Sequence, residues 1–136
     1  MTTTPRVLFV CVKNGGKSQM AAGLMRTIAG EMIDVHSGGT APGTALNELS
    51  VKSLAELGID ISEGTPKPIT ADDLGLADIV VTVGREADIE APEGTVLENW
   101  DTDEPSERGI EGIERMRLVR DDINERVKGL YSRLMQ

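Results

Sequence analysis

The tightest constraint on the fold of this chain is the run Val7-Leu8-Phe9-Val10, four apolar residues without alternation, closed by Cys11. A strand exposed on one face alternates apolar and polar residues. A strand covered on both faces does not, so this run reads as an inner strand of a layered α/β domain. Asn14-Gly15-Gly16 cannot prolong a strand and supply a loop. From Lys17 onward, Met20, Ala21, Leu24, Met25 and Ile28 recur at helical spacing. Strand, loop and helix thus follow one another directly. The loop N–H groups and the positive end of the helix converge on one point, where anions bind and a thiolate is stabilised. The only cysteine of the chain is delivered there.

Two plainer readings fit parts of this segment. Gly16-Lys17-Ser18 could end a nucleotide-binding loop, G-x-x-x-x-G-K-[ST], but that motif requires glycine where this chain has Cys11. The nucleotide reading fails at its first position. A free cysteine is commonly an inert buried residue. One followed by a glycine-rich loop, a cation, a hydroxyl and a helix start is a candidate nucleophile.

Cys11 to Ser18 resembles Cys-x5-Arg-Ser, the anion loop of the low-molecular-weight protein tyrosine phosphatases and of the arsenate reductases that share their fold. Lys17 stands where that pattern has arginine. The resemblance continues along the chain. Val35-His36-Ser37-Gly38-Gly39-Thr40 is similar to the family's second strand and following turn, with Gly38 replacing an alanine. Leu57 to Ser62 resembles the segment after its second helix, Ala77 to Val83 its third strand, and Trp100 to Pro105 the loop that bears its general acid.

Periodicity places strands near 6–10, 33–37, 79–83 and 95–98. It places helices near 17–31 and 45–57, a helical turn near 71–76, and a long helix over 111–134. Ile113, Met116, Val119, Ile123, Val127, Leu130 and Leu134 form the apolar stripe of that last helix. Arg115, Asp122 and Glu125 read as its solvated face. Pro66-Lys67-Pro68 marks an irregular connection, and His36 reads as structural. The expected architecture is one domain over 1–136: a three-layer α/β sandwich with a central, mostly parallel four-stranded sheet and helices on both faces.

The resemblance implies roles for individual residues. Cys11 is the nucleophile, assisted by Lys17 and a Ser18 hydroxyl. Backbone groups of Val12, Lys13, Asn14, Gly15, Gly16 and Lys17 cradle the oxyanion, with Asn14 holding the loop from within. The family places a carboxylic acid directly before the proline of the acid loop, here Glu104 before Pro105, with Asp103 as the fallback. The acidic crowd of Asp101, Asp103, Glu104 and Glu107 is expected to favour a protonated carboxyl through like-charge repulsion.

Three departures bear on the reaction. Lys17 offers a point charge in place of a planar guanidinium fork, which weakens a phosphatase most. Ser106 follows Pro105, where phosphatases of this fold carry an aromatic, leaving Trp100 as the one aromatic expected nearby. Thioredoxin-coupled arsenate reductases of this fold carry two resolving cysteines, and alignment puts Gly84 and Ala91 at those positions. The expected function is therefore arsenate reduction by transfer of the arseno group to an external thiol. The resemblance names mycothiol as co-substrate, with mycoredoxin acting downstream. The thiol is expected among loops 12–16, 40–45 and 84–92. A phosphomonoester hydrolase and a non-catalytic oxyanion-binding protein are the alternatives.

Composition bounds the partners. A net charge of −9 argues against nucleic acid and anionic membrane. No apolar run approaches the roughly 20 residues of a membrane span. One cysteine excludes an internal disulfide framework, and no targeting segment is apparent, so the cytoplasm is expected. No Cys and His cluster suggests a metal site, and no bound cofactor is expected.

Overall fold

The computed structural model describes residues 4–136, so the first three positions of the expected domain lie outside the described residues. Strands β1 (Arg6–Cys11), β2 (Asp34–Gly39), β3 (Ile79–Val83) and β4 (Val96–Trp100) form one sheet in the order β2-β1-β3-β4. Every pairing is parallel, which sharpens the expected mostly parallel sheet. Helices α1 (Lys17–Ala29), α2 (Glu48–Ala55), α3 (Ala71–Leu76) and α4 (Gly112–Leu134) flank it.

The unbroken apolarity of β1 has a direct cause. Val7 and Phe9 face a core with Met20, Leu24 and Met25 of α1 and with Val119, Ile123 and Val127 of α4. Leu8 and Val10 face the opposite side, against Val80, Ala77 and Ala87, with Leu74 of α3 packed on them. All four are buried, each contributing about 1.5–3 kcal/mol by leaving water. The two layers are unequal. α1, α2 and α4 cover one face, whereas short α3 and the loop after β3 cover the other.

Element ends differ from expectation by a few residues, for local reasons. α1 stops at Ala29 because Gly30 adopts φ +55°, and a 3-10 turn (Gly30–Met32) follows. α2 starts at Glu48, after Asn47, whose side chain accepts from the Ser50 N–H as an N-cap. α3 is held by a capping box between Thr70 and Asp73. β4 runs on to Trp100, which is buried against Phe9 with ring centroids 5.6 Å apart. Trp100 is therefore a core residue and forms no wall of the site.

β1 lies between β2 and β3, so the chain leaves its carboxyl end in one direction and returns on the other side. Such a switch point is where parallel α/β sheets bind ligands. Here it brings the Cys11 end of β1 beside the Val83 end of β3. Among the described residues, no helix is long and apolar enough to cross a membrane.

Candidate active site

The loop from Cys11 to Gly16 turns its carbonyls outward, and each finds a donor. Cys11, Val12 and Lys13 accept from the N–H groups of Thr40, Ala41 and Gly43, and Gly15 accepts from Asn47. The Asn14 carbonyl accepts from Gln19 Nε2, and the Gly16 carbonyl from the Met20 N–H. With its carbonyls tied down around the rim, the loop keeps its N–H groups for the centre, the arrangement of an anion nest. Gly39 allows this close seating: a Cβ there would stand 2.6 Å from the Val12 oxygen.

Asn14 is the loop's internal brace. It is fully buried and adopts φ +52°, a region that asparagine tolerates better than most side chains. Its Oδ1 accepts from the Lys67 N–H at 3.0 Å and from Gln19 Nε2 at 3.2 Å. A backbone N–H can only donate, so the Lys67 bond fixes the amide's orientation. Asn14 Nδ2 therefore donates to Ser18 Oγ at 2.7 Å. That bond occupies Ser18 as an acceptor and leaves its hydroxyl proton for Cys11 Sγ, 2.9 Å away. The Asn14 N–H donates to the same sulfur at 3.2 Å. Two donors thus converge on Sγ. Neither the Gln19 side chain nor the Lys67 backbone N–H carries a signal in the sequence; Pro66-Lys67-Pro68 proves to be an extended segment paired with the end of β2.

Cys11 opens into a cavity of about 250 Å³ lined by Val12, Lys13, Lys17, Gly84, Glu104 and Arg115, among others. Lys17 Nζ donates to Glu104 Oε1 at 2.5 Å, and both side chains are largely buried. Gly84 adopts φ +101°, and a Cβ there would lie 3.3 Å from Lys17 Nζ. No aromatic side chain belongs to this lining.

The acidic loop departs from expectation. The acids do not stand unpaired there, because each meets a cation. Asp101 and Glu107 both accept from Arg85. Asp103 takes a bidentate bond from Arg108 at 2.8 and 3.1 Å, which holds its carboxyl below the ordinary aspartate range. Its N–H is anchored on Asp122 Oδ2. Asp103 is thus held by Arg108 outside the cavity lining, to which Glu104 belongs. The polar face assigned to α4 also needs correction. Asp122 supports the acid loop and pairs with Arg126, and Arg115 lines the cavity; Glu125 alone behaves as a solvated charge. His36 bonds Asp34 within β2, far along the strand from Cys11.

A family model described as low molecular weight phosphotyrosine protein phosphatase matches residues 6–136. The chain belongs to that family. An arsenate reductase of Halalkalibacterium halodurans is 36% identical over 130 residues, covering 90% of this chain and 91% of the relative. A solved thioredoxin-dependent arsenate reductase of Corynebacterium glutamicum superposes with a TM-score of 0.83 at 31% identity. It covers 99% of this chain, which spans 65% of that longer one. A structure titled an arsenate reductase in the phosphate binding state gives 0.76 at 30% identity, covering 95% of this chain and 98% of the other.

Proposed function

We propose that the protein is an arsenate reductase that passes its arseno group to an external low-molecular-weight thiol. The relatives support arsenate as the substrate. One observation carries the external thiol: the single cysteine of the chain is the sulfur in the oxyanion loop, and Gly84, not a thiol, lies across the cavity from it. One sulfur cannot close an intramolecular disulfide, so the reducing electrons must come through a thiol from outside.

In this reading, Cys11 thiolate attacks arsenic, an S–As bond forms and an As–O bond breaks. Loop N–H groups hold the remaining oxygens, and Lys17 is drawn from Glu104 towards their charge. The proton given up by the Cys11 thiol passes through Glu104 to the departing oxygen, which leaves as water. Mycothiol thiolate then displaces Cys11 from arsenic, still at the +5 level, and regenerates the enzyme. A mycoredoxin thiolate attacks the mycothiol sulfur, forms a mixed disulfide and delivers two electrons to arsenic, which departs as arsenite. The cytoplasm, where thiols are kept reduced, suits this chemistry. An aryl-phosphate hydrolase is disfavoured by the absence of an aromatic wall around Cys11.

The test is arsenate-dependent NADPH oxidation with mycothiol, mycoredoxin and mycothiol disulfide reductase, repeated with thioredoxin and its reductase. Turnover with the mycothiol set alone is expected. Turnover with thioredoxin alone overturns the external-thiol assignment, and turnover with neither overturns arsenate reduction.

A further inference from the structure

Arg115 sits in the first turns of α4 and lines two adjoining cavities. One holds Cys11; the other, about 490 Å³, lies between the loop and the start of α2. Lys13 and Lys17 line both cavities as well, so the two cavities share three cations in a chain whose net charge is −9. They are not equivalent. Lys17 is engaged by Glu104, and Lys13 is exposed. Arg115 is partly buried, its Nε is wholly buried and donates to nothing, and it joins no ion pair among the described residues.

That isolation is out of character for this molecule. Arg6, Arg85, Arg108, Arg117, Arg120, Arg126 and Arg133 each meet a carboxylate, and Arg26 donates to the Val35 carbonyl. Glu111 and Glu114 flank Arg115 in the sequence, yet neither takes it. A buried guanidinium N–H without a partner costs stability unless a ligand completes it. Arg115 lines the cavity that holds Cys11, so an anion bound there is a ligand within its surroundings.

We propose that Arg115 is a substrate-binding residue that supplies, from α4, the guanidinium fork missing from position 17 of the loop. Its ligand is the tetrahedral oxyanion above Cys11, held by paired N–H donors as a carboxylate or phosphate would be. Lys17 can then stay with Glu104 while the anion is first captured, and the charge for capture comes from a different helix. The assignment rests on the oxyanion site proposed above and specifies its anion-recognition element.

The test uses the intact protein with Arg115→Met, which keeps an apolar stem and removes the charge, and with Arg115→Lys, which keeps the charge and removes the fork. Inorganic phosphate is titrated by calorimetry as a probe that needs no turnover, and KM is measured separately for arsenate and for mycothiol. Arg115→Met is expected to weaken phosphate binding and raise the arsenate KM by about tenfold to a hundredfold, as when a bond to a charged group is lost. Arg115→Lys should fall between, the mycothiol KM should hold, and Arg117→Met should match the parent. An unchanged phosphate affinity in Arg115→Met overturns the proposal. So does a rise confined to the mycothiol KM, which moves Arg115 to the thiol. If the parent turns over no arsenate with either reductase set, the function fails, while the phosphate titration still decides Arg115.

Discussion

The two loops that meet at the cavity are built on opposite principles. Residues 11–18 are packed inside the molecule and wired through their backbone, with every carbonyl from Cys11 to Gly16 accepting a bond and Asn14 and Ser18 fully buried. Residues 101–108 mix exposed positions with the buried Thr102 and Pro105 and are held by side-chain ion pairs that involve Arg85, Arg108 and Lys17. The first loop places atoms with little freedom, as a nucleophile and an oxyanion cradle require. In the proposed reaction the second supplies the acid, Glu104. The difference teaches that the dense backbone wiring lies in the half of the site that holds Cys11.

The strongest break in that comparison is at the sulfur. Cys11→Ser should abolish arsenate turnover with the fold intact, checked by NADPH oxidation beside circular dichroism; retained turnover would remove Cys11 from the chemistry. In the second loop, Glu104→Gln should lower kcat about a hundredfold or more, the range for losing a general acid. Asp103→Asn should leave kcat nearly unchanged, because its carboxylate is spent on Arg108. Equal losses from the two changes would sink the assignment of the acid.

Stability should divide the loops in the reverse order of their exposure. Asn14→Ala removes several buried bonds and puts alanine at positive φ, so urea unfolding should show a loss of roughly 2–4 kcal/mol. Arg85→Ala, by contrast, breaks only exposed pairs. Its urea midpoint should barely move, while amide exchange across 101–107 quickens. A large shift in its midpoint would erase the distinction between the loops.

The smallest effect sharpens what ion pairs do on rigid elements. Glu56, just after α2, receives Arg117 and Arg120 of α4, and their hydrogen bonds pull its carboxyl from 4.5 to about 2. A depressed carboxyl stabilises the fold above its unfolded value, and the benefit is lost as pH falls through the folded value. The stability difference between the parent and Glu56→Gln should therefore be full above pH 4.5 and vanish towards pH 2, read from urea midpoints across that window. A difference that persists at the acid end would show that the pairing is not the source.

Much of the nucleophile's surroundings was legible in the chain because strand, loop and helix are contiguous. Non-alternating apolarity required a sheet covered on both faces, and the Cys11–Ser18 spacing required a thiol at a helix start. The boundaries of α1 and α2 were less legible, since a positive-φ glycine and an asparagine cap override the hydrophobic period. Glu104 is legible from its place before Pro105, whereas the cations that pair with the acids around it are not, so the expected like-charge crowding gives way to ion pairs. Arg115 was read as surface because helical periodicity assigns a face and not a neighbour.

What the sequence by itself determined, then, is everything set by local backbone geometry: the buried first strand, the anion loop and the sulfur at its mouth. What only the tertiary structure decided is the choice among distant charges. Lys17 meets Glu104 across 87 positions. Asn14 is braced by Lys67, and Arg115 is brought to the cavity with no acid to meet it. Those choices depend on how α4 and the loop after β4 pack against the sheet, and ion pairs carry no spacing rule along the chain from which that packing could be read.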